Sequence, residues 1–338
     1  MARITLANSD AAFDVAEGDT VLRAALRAGL GFPYECNVGS CGNCRFELQE
    51  GEVAHLRAEP PAWGERDRAR KRWLGCQAAP AGDCRIKVGL QEKYVPLVRP
   101  RISGAVLTER HDVTHDIVEF RFRLDDPHPF LPGQYALVDA PGVTGARAYS
   151  MCNVAGAGTA DWHFQIKRVP GGAATGALFD RLRAGDRLTL DGPYGMAWLR
   201  EEAPRDVLCL AGGSGLSPMV SIARAAAVSP KLADRSIRFL YGGRTARDVA
   251  GEAFLRDLPG WGTRITYEAV VSQPDAPESA GWRGATGFLH EVAKARFGDA
   301  LKDMEVYFAG PPAMAEATHR MLYEAGVPPE RIHFDQFY

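Results

Sequence analysis

The chain lacks any long apolar run. No stretch approaches the ~20 consecutive apolar residues that a membrane-spanning helix needs. Its first residues, "MARITLANSDAAF", hold no apolar core of the signal-peptide kind. The cytoplasm is therefore the expected compartment, and disulfides are rare there. Charge of one sign is not in excess either. The chain has 40 basic and 42 acidic side chains, a formal net charge of −2. Neither a nucleic acid nor a membrane surface is expected as partner. The standard dinucleotide fingerprint G-x-G-x-x-G is also missing. What remains is a chain of 338 residues with ordinary globular composition. That length exceeds one ordinary domain and points to two or three.

Seven cysteines in a compartment without disulfides must be buried, catalytic or metal-bound. Three of them, Cys36, Cys41 and Cys44, crowd into "CNVGSCGNC" with C-x4-C-x2-C spacing. A fourth, Cys76, follows in "WLGCQAAP". Three close thiolates and one distant one form the plant-type ligand pattern of a two-iron two-sulfur cluster. Gly39 and Gly42 allow the loop to turn its N–H groups toward the sulfurs. Zinc is a weaker alternative, because a structural zinc site commonly pairs two C-x2-C knuckles. A thioredoxin-like redox pair would leave Cys36 and Cys76 without a task. Cys84, Cys152 and Cys209 lie in apolar contexts and read as small core residues.

Around the cysteines, "ARITL" and "AAFDV" alternate like hairpin strands. "GDTVLRAALRAGLG" reads as a helix capped by Asp19 or Thr20 and ended by Gly29, with Val21, Leu22, Ala25 and Leu26 on its apolar face. Strand pair, helix, cysteine loop and the strand "CRFELQEGEV" together resemble a plant-type ferredoxin domain, an α+β β-grasp fold, over residues 1–93. The basic run "RDRARKR" at 66–72 reads as a solvated helix face.

"KYVPLVRPR" at 93–101 is punctuated by proline and reads as a linker. Six short alternating segments then suggest an antiparallel β-barrel over residues 101–200. In "RAYS", Arg147 and Tyr149 share one strand face, with Ser150 beside them. "KRVPGGAATG" passes from strand to helix through bare glycines. With "PGQY" at 132–135, these motifs resemble the flavin domain of the ferredoxin–NADP reductase superfamily. The resemblance implies FAD. Arg147 would bind its pyrophosphate, Tyr149 would pack on the ring, and Ser150 would approach the redox-active nitrogen. Gly172 and Thr175 would support the pyrophosphate, and Ile166, Lys167 and Val169 complete the implied set.

Beyond residue 200 strands alternate with helical segments, including "AGEAFLRDL". This predicts an α/β domain, residues 201–338, with a five-stranded parallel sheet in the order 3-2-1-4-5. The glycine turns "GGSGLSP" and "AGPP" would then face one crevice at the switch point. The superfamily resemblance continues here to the end of the chain. It implies a nicotinamide dinucleotide held by Gly212, Gly213, Gly215, Pro218, Gly242, Arg244, Gly310 and Pro311. Ala309 stands where family members usually carry cysteine. The ending "FDQFY" resembles the family's terminal acid-x-aromatic, which makes Asp335 and Phe337, with Ser150, the implied catalytic residues.

As a whole the chain resembles the reductase components of bacterial multicomponent aromatic-ring monooxygenases, of the toluene monooxygenase type. The resemblance implies electron flow from NADH through FAD and one [2Fe-2S] cluster to an oxygenase hydroxylase or a Rieske ferredoxin. The same modules also serve Rieske dioxygenases and deoxysugar dehydratases. A redox-sensing binding module is the rival from another class. NADH is expected over NADPH, because Asp248 and Glu252 offset Arg244 and Arg247. The chain is expected to act as a monomer.

Overall fold

The structure, a computed structural model, describes residues 1–156 and 158–337. Its first part contains β1 (Ala2–Leu6), β2 (Ala12–Val15), α1 (Val21–Arg27), β3 (Arg45–Glu50), β4 (Val53–His55), α2 (Glu65–Ala69), β5 (Arg72–Leu74), β6 (Ala78–Pro80) and β7 (Cys84–Lys87). Five of these strands form one mixed sheet in the order β2-β1-β7-β3-β5. β1 runs parallel to β7, and the other pairs are antiparallel. α1 packs its apolar face on that sheet. Thr20 caps it by accepting the Arg23 N–H at 3.4 Å, and Val21, Leu22, Ala24, Ala25 and Leu26 are all buried. Burying each large side chain contributes about 1.5–3 kcal/mol, enough to hold a helix too short to persist alone.

The second part contains β8 (Arg101–Asp112), β9 (Ile117–Leu124), β10 (Tyr135–Asp139), β11 (Arg147–Ser150), β12 (Asp161–Lys167), α3 (Ala173–Gly176) and β13 (Arg187–Tyr194). The strands follow the order β11-β10-β13-β8-β9-β12, and every neighbouring pair is antiparallel. A bridge between Met151 and Phe164 links the two ends of the sheet and rolls it toward a barrel. Phe120, Phe122, Trp162, Phe164 and Ile166 fill the interior, as the period-2 pattern of β9 and β12 dictates.

The third part contains β14 (Val207–Gly212), α4 (Leu216–Val228), β15 (Ile237–Gly243), β16 (Ile265–Val271), β17 (Ala285–Thr286), α5 (Leu289–Phe297), β18 (Glu305–Gly310), α6 (Pro312–Glu324) and β19 (Ile332–Gln336). The sheet is parallel, in the order β17-β16-β15-β14-β18-β19. Five strands keep the expected order, and the two-residue β17 adds a sixth at the edge. A second difference lies between β15 and β16. "AGEAFLRDL" forms only a 3-10 turn at Glu252–Phe254. Gly251 precedes it at φ 113°, and Pro259 with Gly260 follows closely, so no room is left for a full helix.

The segment 93–101 continues from a single 3-10 turn at Glu92–Tyr94 and is packed. Tyr94 lies 6.2 Å from Tyr34, ring centre to ring centre. The core of the first part also continues into the barrel, because Tyr135, Leu137 and Tyr194 belong to the same buried cluster as Phe32, Tyr34 and Phe46.

Candidate functional site

The cysteine loop lies between α1 and β3. Cys36 and Cys41 are half-buried, Cys44 and Cys76 are buried, and all four are free thiols. The thiols influence one another in two pairs, Cys36 with Cys41 and Cys44 with Cys76. Backbone N–H groups point at them: Ser40 and Cys41 donate to Cys36 Sγ at 3.4 and 3.3 Å, and Cys76 donates to Cys44 Sγ at 3.5 Å. The Cys36 thiol is pushed down to about 5, first by the Cys41 hydrogen bond and also, against burial, by those N–H groups. Gly39 and Gly42 sit at φ 84° and 79°, a region that side chains disfavour. Four thiols ringed by inward N–H groups fit a two-iron cluster. Cys84, Cys152 and Cys209 are buried away from this loop, as expected of core residues.

Against the loop lies a cavity of about 540 Å³ in the barrel face. Arg147, Tyr149, Ser150, Lys167, Val169, Gly172, Thr175, Asp335 and Phe337 all line it. Arg147 is exposed and donates to Gly145 O at 2.8 Å. Burial pushes the Tyr149 hydroxyl up to about 12, against the pull of Arg147. The Thr175 hydroxyl ties the glycine turn by accepting the Val169 N–H at 3.2 Å. Ile166 does not reach the cavity; it points inward and is fully buried in the barrel core. Two cavity residues carry buried oxygens that find no hydrogen-bond partner among the described residues, Gln165 Oε1 and Asp335 Oδ2. Burial, with Glu35 adding its charge, pushes the Asp335 carboxyl up to about 7. Orphaned acceptors and an acid that holds its proton near neutrality suit a flat heterocycle with polar edges.

The wall of this cavity also includes Glu35, Cys36 and Val38 of the cysteine loop, and Tyr135 of β10. Tyr135 Oη donates to Glu35 O at 2.6 Å and so ties the loop to the barrel. Pattern reading missed Glu35, Val38, Tyr135 and Gln165. "PGQY" was the one local signal that pointed to any of them.

A second cavity, of about 290 Å³, opens at the switch point between β14 and β18. Gly212, Gly213, Gly242, Arg244 and Pro311 line it. Gly215, Pro218 and Gly310 do not; they are buried behind it and shape the turn. A Cβ on Gly215 would stand 1.9 Å from Ala309 O, so only glycine fits there. Ala309 is itself buried, in the same apolar cluster that Phe337 packs against. Met314, unmarked by any motif, covers Gly212 from α6 and would meet a Cβ there at 2.3 Å. Lys167, Ser214 and Phe337 line both cavities. The two spaces therefore meet.

A thiol cage, a barrel cavity and a switch-point cavity in direct succession define a pyridine-nucleotide-linked iron–sulfur flavoprotein. Three family descriptions match in the same order: the 2Fe-2S iron-sulfur cluster binding domain over residues 4–81, the oxidoreductase FAD-binding domain over 104–198 and the oxidoreductase NAD-binding domain over 209–320. The chain is 42% identical to the ferredoxin–NAD(P)+ reductase CarAd of Metapseudomonas resinovorans over 95% of each chain. It is 35% identical to the ferredoxin–NAD+ reductase component of the alkene monooxygenase system of Xanthobacter autotrophicus, over 98% of this chain and 99% of that one. The xylene/toluene monooxygenase electron transfer component XylA of Pseudomonas putida is 32% identical, over 96% of this chain and 91% of its own. A solved ferredoxin reductase in carbazole 1,9a-dioxygenase superposes with a TM-score of 0.92 at 38% identity, over 99% of this chain and 98% of that one. The chain belongs to the ferredoxin–NAD(P)+ reductase family whose members are reductase components of oxygenase systems. Its three parts are a [2Fe-2S] domain, an FAD domain and an NAD domain. No helix of the described residues is long and apolar enough to cross a membrane.

Proposed function

We propose that this chain oxidises NADH and hands single electrons, by way of FAD and the [2Fe-2S] cluster, to the hydroxylase of an aromatic-ring monooxygenase. The observation that carries this reading is the two-sided wall of the barrel cavity. Cys36 stands on one side, and Lys167, Ser214 and Phe337 open it to the dinucleotide cavity on the other. FAD held in this cavity would supply the conversion of a two-electron hydride from NADH into the single electrons that a [2Fe-2S] cluster accepts.

The residues divide the work. Cys36, Cys41, Cys44 and Cys76 would hold the cluster. Arg147 forks the flavin diphosphate, and the bare backbone at Gly172 supports it. Tyr149 packs on the ring. Ser150, Gln165 and Asp335 meet its polar edge, and Asp335 can hold a proton there. Phe337 excludes water where the two cavities join. Lys167 and the backbone of Gly212 and Gly213 hold the dinucleotide. Asp248, 3.7 Å from Arg244, weakens any basic pocket for a 2′-phosphate, so NADH is preferred to NADPH. The domain boundaries fall at 1–93, 101–200 and 201–338, and the chain works as a cytoplasmic monomer.

A second reading replaces the hydroxylase with a small Rieske ferredoxin that feeds a dioxygenase. The 38% identity to the ferredoxin reductase in carbazole 1,9a-dioxygenase, against 32% to XylA, supports it. The test presents both acceptors, taken from the genes that flank this one, to the purified chain with NADH. Reduction of one or the other decides between the two readings. If ferricyanide is reduced and neither protein is, the oxygenase role fails. If a dye is not reduced at all, the redox-sensor rival gains.

A further inference from the structure

The basic run at 66–72 is only partly a solvated helix face. Trp63 and Trp73, ten positions apart, stack with ring centres 5.1 Å apart and planes 28° from parallel. The Arg68 guanidinium lies 4.6 Å from the centre of the Trp63 ring. Together with Leu48, Lys71 and Arg72 they line an open cleft of about 350 Å³. The lining contains three cations and no carboxylate. Arg66 and Arg70 are exposed nearby. Of the nearby acids, Asp67 is buried against Arg45 at 2.9 Å, Glu59 lies 3.6 Å from Arg68, Glu50 leans to Arg85 at 3.5 Å, and Glu47 stands opposite Arg72 across β3 and β5. Glu65 is exposed. The cations outnumber the acids left free to answer them.

This cleft is coupled to the cluster loop. Ala62, next to Trp63, donates its N–H to Gly39 O at 3.1 Å. Gly75, two residues past Trp73, donates to Cys44 O at 2.8 Å. The cleft shares no residue with the barrel cavity, so a protein can sit on it while the flavin side stays closed. A structural role accounts for the indole stack. It does not account for Arg66, Arg70 and Lys71, which form no ion pair among the described residues, beside an open apolar cleft.

We propose that this cleft docks an acidic surface of the electron-accepting protein, with an apolar side chain of that partner seated against the two indoles. The proposal rests on the electron-transfer reading above. Carboxylates of the partner pair with Arg68, Lys71 and Arg72, and the cluster side held by Cys44 and Cys76 becomes the exit.

The test uses the full holoprotein and two commercial one-electron haem proteins, acidic cytochrome b5 and basic cytochrome c, with ferricyanide as a small acceptor. In Arg68→Glu/Lys71→Glu, kcat/KM for cytochrome b5 should fall about tenfold or more at low ionic strength. Ferricyanide reduction should stay unchanged, and cytochrome c reduction should hold or rise. Arg68→Lys/Lys71→Arg, which keeps both charges, should retain the wild-type cytochrome b5 rate. A charge-reversed protein as fast as wild type with cytochrome b5 would overturn the docking surface and leave the electron-transfer reading standing. Equal losses with cytochrome b5 and ferricyanide would overturn it too. A wild-type protein that reduces ferricyanide but neither cytochrome would instead overturn the reading on which the surface rests.

Discussion

Where the ferredoxin domain meets the barrel, Tyr34 and Tyr194 stand edge to face with ring centres 6.3 Å apart. Tyr135, Leu137 and Tyr194 share one buried cluster with the ferredoxin core. Arg27 pins the rim, bonding Asp19 at 2.7 Å and Asp191 at 2.8 Å. Where the barrel meets the nucleotide domain, a row of hydrogen bonds from α4 joins smaller apolar contacts such as Val113 on the nucleotide-domain core. Ser217 Oγ donates to Ser150 O at 2.6 Å and accepts the Gln165 N–H at 3.1 Å. Ser221 donates to Asn153 O at 2.7 Å, and Arg224 donates to Cys152 O at 3.1 Å. The difference follows from what crosses each seam. A single electron needs a fixed, dry separation, which apolar packing supplies. A dinucleotide must enter and leave, and polar contacts can exchange with water at small cost.

The largest effect is expected at the thiols. Cys36→Ser should lose most of its iron and acid-labile sulfide, together with cytochrome c reduction, while ferricyanide reduction continues. Iron analysis checks the first effect and steady-state rates the second. Iron retained at the wild-type level would remove Cys36 from the ligand set.

Tyr194→Ala should destabilise the apolar seam by about 3–5 kcal/mol, as large aromatic truncations in cores do. Thermal unfolding followed through the cluster's visible absorbance reads it. A change below about 1 kcal/mol would mean that the seam is not part of one core.

On the polar side, Gly215→Ala forces a Cβ to within 1.9 Å of Ala309 O. The turn must shift, and KM for NADH should rise about tenfold, which is ~1.4 kcal/mol. Flavin content should be unchanged. An unaltered KM would show that this turn does not shape the dinucleotide cavity.

Ser217→Ala removes two hydrogen bonds across the polar seam and should cost only about 1–2 kcal/mol. A loss as large as that of Tyr194→Ala would erase the distinction between the seams.

Much of this arrangement was legible locally. Thiol spacing, strand alternation and glycine turns act over a few residues, and they led directly to the cysteine loop, the antiparallel barrel and the switch-point crevice. What they could not convey was docking. Glu35, Val38 and Tyr135 become cavity walls only because two domains close on each other, and no short pattern encodes that closure. Burial also redirected neighbours. Ile166 sits beside Lys167 in the chain, yet strand alternation turns it into the core. Pro218 enters the interior with α4. Trp63 and Trp73 form one cleft only once α2 and β5 fold back together.

In the proposed electron route the barrel cavity is the obligatory junction between dinucleotide and cluster. Rapid anaerobic mixing of NADH with the intact chain tests it most directly, with flavin bleaching followed by absorbance and cluster reduction by freeze-quench paramagnetic resonance. Flavin bleaching should come first, cluster reduction should follow it, and the chain stripped of FAD should leave its cluster oxidised. A cluster reduced by NADH ahead of the flavin, or without it, would contradict the account.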